Sequence, residues 1–184
     1  MSASDEVLAA TRRVVQRVGL DALTLAAVAR EAGIGRATVY RRYSSREELI
    51  GALVADELDR LEQMLLGRLR FADQPRETVH MLVREVLDYN ARNEPLVAAL
   101  RIDASRLLPW LIRAGSQPTL VDIVTDRALS HIEPSPLAAY LHPDPPAAVE
   151  FMVSAIYAEL LSPARHMSHA QVADYITSAI CPTV

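Results

Sequence analysis

The 184-residue chain is 51% hydrophobic, dominated by alanine and leucine, and carries a formal net charge of −4. With only two Phe, one Trp and six Tyr, that composition predicts an all-α protein with an aliphatic core. A single cysteine, Cys181, excludes an intrachain disulfide and a cysteine-cluster metal site. The sequence holds no uninterrupted apolar run of the about 18 residues that a membrane helix needs. The start, MSASDEV, lacks the charged-then-apolar layout of an export signal. A cytoplasmic protein with no membrane partner is expected.

The charge is unevenly placed. Residues 1–46 hold eight arginines against four acids, whereas the other 138 residues hold eleven arginines against nineteen acids. A +4 segment is thus joined to a −8 remainder, a contrast that separates two functions along the chain.

In chain order, Val7, Leu8, Thr11, Val14, Val15 and Val18 recur at three and four, which predicts a helix over 5–18 with Ser4 as cap and Gly19 ending it. A second helix is expected from Thr24, presenting Leu25, Val28, Ala29 and Ala32 before Gly33 stops it. A third, over Arg36–Tyr43, is too short to be stable alone. Ser45 followed by Glu48 is a capping-box pattern, so a long helix begins at about Arg46 with an apolar stripe of Ile50, Val54, Leu58, Leu61, Leu65 and Leu69. Further helices are expected over 75–92, 94–102, 105–114, 118–132, 146–161 and 169–180, separated by Pro75, Pro95, Gly115 with Pro118, and the loop signal EPSPLAAYLHPDPP. No stretch shows strand-like alternation.

Residues 24–43, TLAAVAREAGIGRATVYRRY, fit a helix-turn-helix. Two short helices that cross steeply need a small residue at the contact, a turn residue tolerant of positive φ, and a branched apolar side chain on the second helix. Ala29, Gly33, Ile34 and Val39 stand at those positions. If the second of these helices enters a major groove, Arg36, Ala37 and Thr38 lie where base edges are reached, and Tyr40, Arg41, Arg42 and Tyr43 flank the phosphates. Thr24 and Arg46 stand at helix starts, where free N–H groups and the helix dipole attract phosphate.

The run GIGRATVYRRYSSREEL at 33–49, preceded by a helix and Thr24, resembles the DNA-binding segment of the TetR family of bacterial transcriptional regulators. The likeness is detailed over residues 5 to 54 and architectural beyond. Gly35 departs from the Ser or Thr usual at the start of the recognition helix, and Ser44 from a common proline. The resemblance implies phosphate contacts at Thr24, Tyr40, Arg42 and Arg46, and base contacts at Arg36, Ala37 and Thr38. It implies an amino-terminal three-helix DNA-binding domain, residues 1–46, joined by a long helix to a larger helical domain, residues 47–184, for effector binding and dimerisation. The implied partners are a palindromic double-stranded DNA operator, an unknown small-molecule effector and a second copy of the chain, and the implied role is that of a ligand-responsive repressor.

In the acidic remainder, PAAVEFMVSAIYAELL at 146–161 is apolar on nearly every side and must be covered on two fronts. With the helix at 169–180 it is the expected dimer interface, as the resemblance implies. Met64, Met81, Tyr89, Trp110 and Phe151 are candidates for an adaptable apolar effector pocket. His166 and His169 have too few companions for a metal site, and His80 reads as a satisfied core or rim histidine. Neither a cofactor nor a metal is expected, and no catalytic signature such as G-x-S-x-G, H-E-x-x-H or a phosphate loop is present. The competing classes are a helical enzyme or small-molecule binder whose basic segment is a solvated face, and a helix-turn-helix protein that works by recruiting a partner.

Overall fold

The computed structural model describes residues 3–69, 74–103, 110, 112–113 and 118–182. The chain forms an all-helical fold that divides into two compact units, Met1–Glu62 with Arg92–Leu108, and Gln63–Ala91 with Pro109–Val184.

The first unit contains α1 (Ala3–Val18), α2 (Leu25–Ala32), α3 (Arg36–Arg42), most of α4 (Arg46–Arg68) and α6 (Glu94–Asp103). α1 begins at Ala3, so Ser4 lies inside the helix and is not its cap. Val7, Leu8, Ala10, Val14 and Val15 form its buried face together with Thr11, whose hydroxyl donates to the Val7 carbonyl at 2.8 Å and so enters the core satisfied. Thr24 caps α2, its oxygen accepting from the Ala27 N–H at 3.0 Å. Gly33, at φ 68° and ψ 24°, ends α2 in a Schellman arrangement: its N–H reaches the Arg30 carbonyl and the Ile34 N–H reaches Ala29. A side chain is strained at that φ, which is why glycine stands there.

α3 has seven residues and is held by packing. Val39 is fully buried, a burial worth about 1.5–3 kcal/mol. In α4 the buried residues are Leu49, Ile50 and Leu53; of the expected stripe only Ile50 is among them, and Val54, Leu58, Leu61, Leu65 and Leu69 are half-buried. Ser45 accepts from the Glu48 N–H at 3.0 Å as the capping pattern requires. The Glu48 carboxylate, however, reaches one residue further back, accepting the N–H and the hydroxyl of Ser44, each at 2.7 Å. Those bonds hold its carboxyl below the usual carboxylate range.

The second unit contains α5 (Pro75–Arg92), α7 (Leu120–Ile132), a 3-10 turn (Pro136–Tyr140), α8 (Pro145–Leu161) and α9 (His169–Ile180). The segment expected to be helical over 105–114 lies mostly outside the described residues. The 3-10 turn falls within the expected loop, and its Leu137 is buried. One core joins Val79, Val83 and Leu87 of α5 to Val149, Met152, Val153 and Ile156 of α8, and to Val172, Ala173, Ile176 and Ile180 of α9. α5 and α9 run antiparallel along a row of polar ties. Arg76 donates to the Cys181 carbonyl and, at 3.3 Å, to Ser178; His80 pairs with Asp174 at 3.2 Å, and His169 with Asp88 at 2.7 Å. His80 is thus a half-buried rim histidine. His169 is engaged by a carboxylate, and among the described residues no three His, Cys, Asp or Glu side chains converge on a metal-sized site.

A reciprocal capping box starts α7, where Thr119 accepts from the Asp122 N–H at 3.2 Å and Asp122 accepts from the Thr119 N–H at 2.7 Å. Arg113 also bonds Asp122, at 2.5 Å, and Glu150, at 3.1 Å. The Arg113 hydrogen bond, helped by those from Thr119, lowers the Asp122 pKa from 3.8 to about 2. A carboxylate depressed on folding adds stability above its unfolded pKa and loses it as pH falls through its folded one. Thermal melts between pH 5 and pH 2 are therefore expected to decline less steeply in Asp122→Asn than in the wild type, the difference concentrated below pH 4; identical slopes would contradict the pairing.

Candidate nucleic-acid interface

The exposed face of α2 and α3 is assembled by the Gly33 turn. Arg36 and Ala37 are exposed on the first turn of α3, Thr38 is half-buried, and Tyr40, Arg41 and Arg42 are exposed. Tyr40 is 53% exposed, so its ring and hydroxyl are open to a partner surface. Arg41 and Arg42 lie in the last turn of α3, where the helix dipole favours cations. Thr24 is exposed at the start of α2, with its oxygen accepting the cap bond.

Two candidate residues lie differently from the sequence expectation. Tyr43 is 6% exposed. It caps the end of α3, its N–H bonded to the Val39 carbonyl with the backbone turned to an extended conformation (φ −129°, ψ 113°), and its ring is a buried packing group and not part of the exposed face. Arg46 is turned toward its own chain, donating to the Leu20 carbonyl and lying 4.0 Å from Asp21. It clamps the α1–α2 connection to the start of α4.

The basic quarter is also selectively neutralised. Glu31 of α2 receives Arg13 at 2.8 Å and Arg17 at 2.9 Å, and these bonds, Arg13's first, lower its pKa. Arg12 pairs with Asp56 and Glu57 of α4. Of the eight arginines in residues 1–46, Arg30, Arg36, Arg41 and Arg42 are exposed with no ion pair among the described residues. All four belong to the helix-turn-helix, so the unpaired positive charge is concentrated there, as a polyanion surface requires. Sequence counting missed this concentration because it weights every arginine equally; the i, i+4 pair Arg13 and Arg17 with Glu31 nearby was the available signal.

Gly35 precedes α3 with φ −62° and ψ 138° and makes no side-chain cap bond. A Cβ there would meet only the Thr38 hydroxyl oxygen, at 3.9 Å. Gly35→Ser is therefore expected to stabilise the protein by ~0.5–1 kcal/mol through a better cap and a less flexible unfolded chain. That raises Tm by about 1–4 °C in a thermal melt; a lower Tm would mean that the site is not a plain N-cap.

The pocket candidates are spread over the second unit. Met64, Met81, Tyr89 and Trp110 are half-buried. Phe151 is 51% exposed on α8, on the side opposite the core residues Met152 and Val149. None of the five belongs to the buried core cluster.

Comparison with known proteins agrees with this geometry. The family model for bacterial regulatory proteins of the tetR family matches residues 7–53, which contain the whole helix-turn-helix and the start of α4. An uncharacterized HTH-type transcriptional regulator of Mycobacterium tuberculosis, Rv1556, is 30% identical over 130 residues, covering 68% of this chain and 55% of its own. The chain thus spans about half the length of that relative. The fold is similar to that of the TetR family repressor AlkX from Dietzia sp. strain DQ12-45-1b, with TM-score 0.72 and 20% identity over 98% of this chain and 94% of that one. It is also similar to AibR, solved in complex with isovaleryl coenzyme A and operator DNA, with TM-score 0.55 and 16% identity over 100% of both chains. Residues 7–53 thus belong to the tetR family of bacterial regulatory proteins, and the helical architecture that follows them has the fold of the solved TetR family repressor.

Proposed function

We propose that the protein is a transcriptional regulator, not an enzyme, that binds a palindromic operator as a homodimer in the cytoplasm and releases it when a small molecule binds. The observation that carries this reading is the exposed, unpaired set Arg36, Arg41 and Arg42 with Tyr40 on a helix presented by the Gly33 turn. Arg36, Ala37 and Thr38 read base edges, Thr24, Tyr40, Arg41 and Arg42 hold phosphates, and Arg46 positions the segment through Leu20. Residues 1–46 do the reading; residues 47–184 sense the effector and dimerise.

The dimer proposal is supported by the outward side of α8. Ala147, Phe151, Ser154, Ala158 and Leu161 are all exposed and recur at alternating spacings of four and three, the seam of a helix that meets a second helix. Tyr175 of α9 is 71% exposed. A twofold pair of these helices forms a four-helix interface, its small residues allowing close approach. The two recognition helices then address sites about 34–36 Å apart, one turn of DNA. An effector within the larger domain that favours another spacing by a few kcal/mol suffices for release. AibR, with its acyl coenzyme A and operator DNA, is a precedent for both ligands on this fold. The function makes repression the simplest outcome, since an occupied operator is blocked.

The testing experiment is a fluorescence-anisotropy titration of arbitrary duplex DNA at several salt concentrations. Binding is expected to weaken with a log–log slope of about −0.9 per phosphate contacted. Absence of salt-dependent binding to any duplex would defeat the proposal.

A further inference from the structure

α6 lies far along the chain from the helix-turn-helix, yet Arg92–Leu108 belongs to the same compact unit, and α6 packs along α1. A polar junction makes the join. Arg12 and Gln16, one turn apart on α1, face α4 and the start of α6: Arg12 donates to Glu57 and pairs with Asp56, and the Gln16 amide donates to Glu94. The second oxygen of Glu57 accepts from the Asn93 amide at 3.1 Å. Asn93 in turn caps α6, its side-chain oxygen accepting from the Leu96 N–H at 3.1 Å. The Arg12 and Glu57 side chains are 14% and 25% exposed, so their pairing is only partly screened by water. On its other flank α1 is bonded through Arg13 and Arg17 to Glu31 of α2.

We infer that Asn93 is a positioning residue for DNA reading, an inference that rests on the function proposed above. Through Glu57 and Arg12 it fixes α1 against α4, and through the arginine bonds to Glu31 the setting of α1 fixes α2 and with it the recognition helix. The amide is suited to this because it meets two demands at once, an acceptor for the α6 cap and a donor for the carboxylate.

Asn93→Asp separates the two demands. The aspartate retains the cap acceptor but sets a second carboxylate against Glu57. Adding Glu57→Gln restores a donor toward the new carboxylate while its amide oxygen still accepts from Arg12. On the DNA site that the wild-type protein selects from random duplexes, Asn93→Asp is expected to lower affinity about tenfold, and the double variant to return it to within about threefold of wild type. Hydrogen exchange at the α1 amides is expected to rise in the single variant and fall back in the double. A role confined to capping α6 predicts unchanged DNA affinity in Asn93→Asp; that result, or a double variant no better than the single, overturns the inference while the functional proposal stands. A wild-type protein that binds no duplex removes the functional proposal itself, and the positioning role with it.

Discussion

Phe151→Glu is expected to convert a dimer into a monomer and to weaken binding to a palindromic site by about two orders of magnitude or more. The side chain stands 51% exposed in the single chain, on the seam that includes Ala147, Ser154, Ala158 and Leu161 of α8. A glutamate there is solvated in the monomer and leaves the core formed by Val149, Met152, Val153 and Ile156 untouched. Across a twofold axis it desolvates a carboxylate and brings it near its own copy, two penalties that a helix interface tolerates poorly. Loss of the dimer removes the linkage that makes the second half-site contact intramolecular, which is the origin of the large effect on DNA. Sedimentation velocity reads the result directly: the variant runs at 20.2 kDa and the wild type at twice that mass. A variant that remains dimeric would move the interface elsewhere.

The second large effect separates the arginines of α3 by role. Arg42→Ala is expected to weaken binding to every duplex and to reduce the salt slope by about one unit. Arg36→Ala, at the first position of α3, is expected to cost ~1–3 kcal/mol on the selected site while relaxing preference at one base pair. Both side chains are exposed and carry no ion pair among the described residues, so neither change disturbs the fold and the effects read as binding. Equal losses on specific and random DNA in both variants would contradict the division between base and phosphate contacts.

Local signals in the sequence carried most of the helix pattern. Thr24, Gly33 and the three-and-four spacing of α1 determine their structure with neighbours only a turn away, and the helices over 75–92 and 169–180 have the observed boundaries. What was not legible depended on distant partners or on fine choices among near neighbours. Tyr43 looks like a polar aromatic in a basic run, but it stands where α3 ends and the chain turns extended, and its ring is buried there. Arg46 sits at a helix start, where a phosphate contact is plausible, and instead finds the Leu20 carbonyl, which only the folded α1–α2 connection supplies. Glu48 takes both the N–H and the hydroxyl of Ser44, while the Ser45 hydroxyl is already engaged as acceptor for the Glu48 N–H, a division that two adjacent serines do not reveal in sequence. α6 joins the first unit by packing along α1, and the polar junction there is made by Glu57, Asn93 and Gln16, residues with no periodic signature that come together only when three helices meet. The buried faces of α8 and α9 were visible as apolar runs; which of their apolar residues face outward was not, and that distinction underlies the dimer proposal.

The central claim is that α3 reads a symmetric DNA site. Selection of bound sites from a random duplex library with the purified protein tests it most directly. The account predicts recovery of a palindrome with half-sites about one helical turn apart. Recovery of no enriched sequence, with binding that merely fades as salt rises, would contradict it.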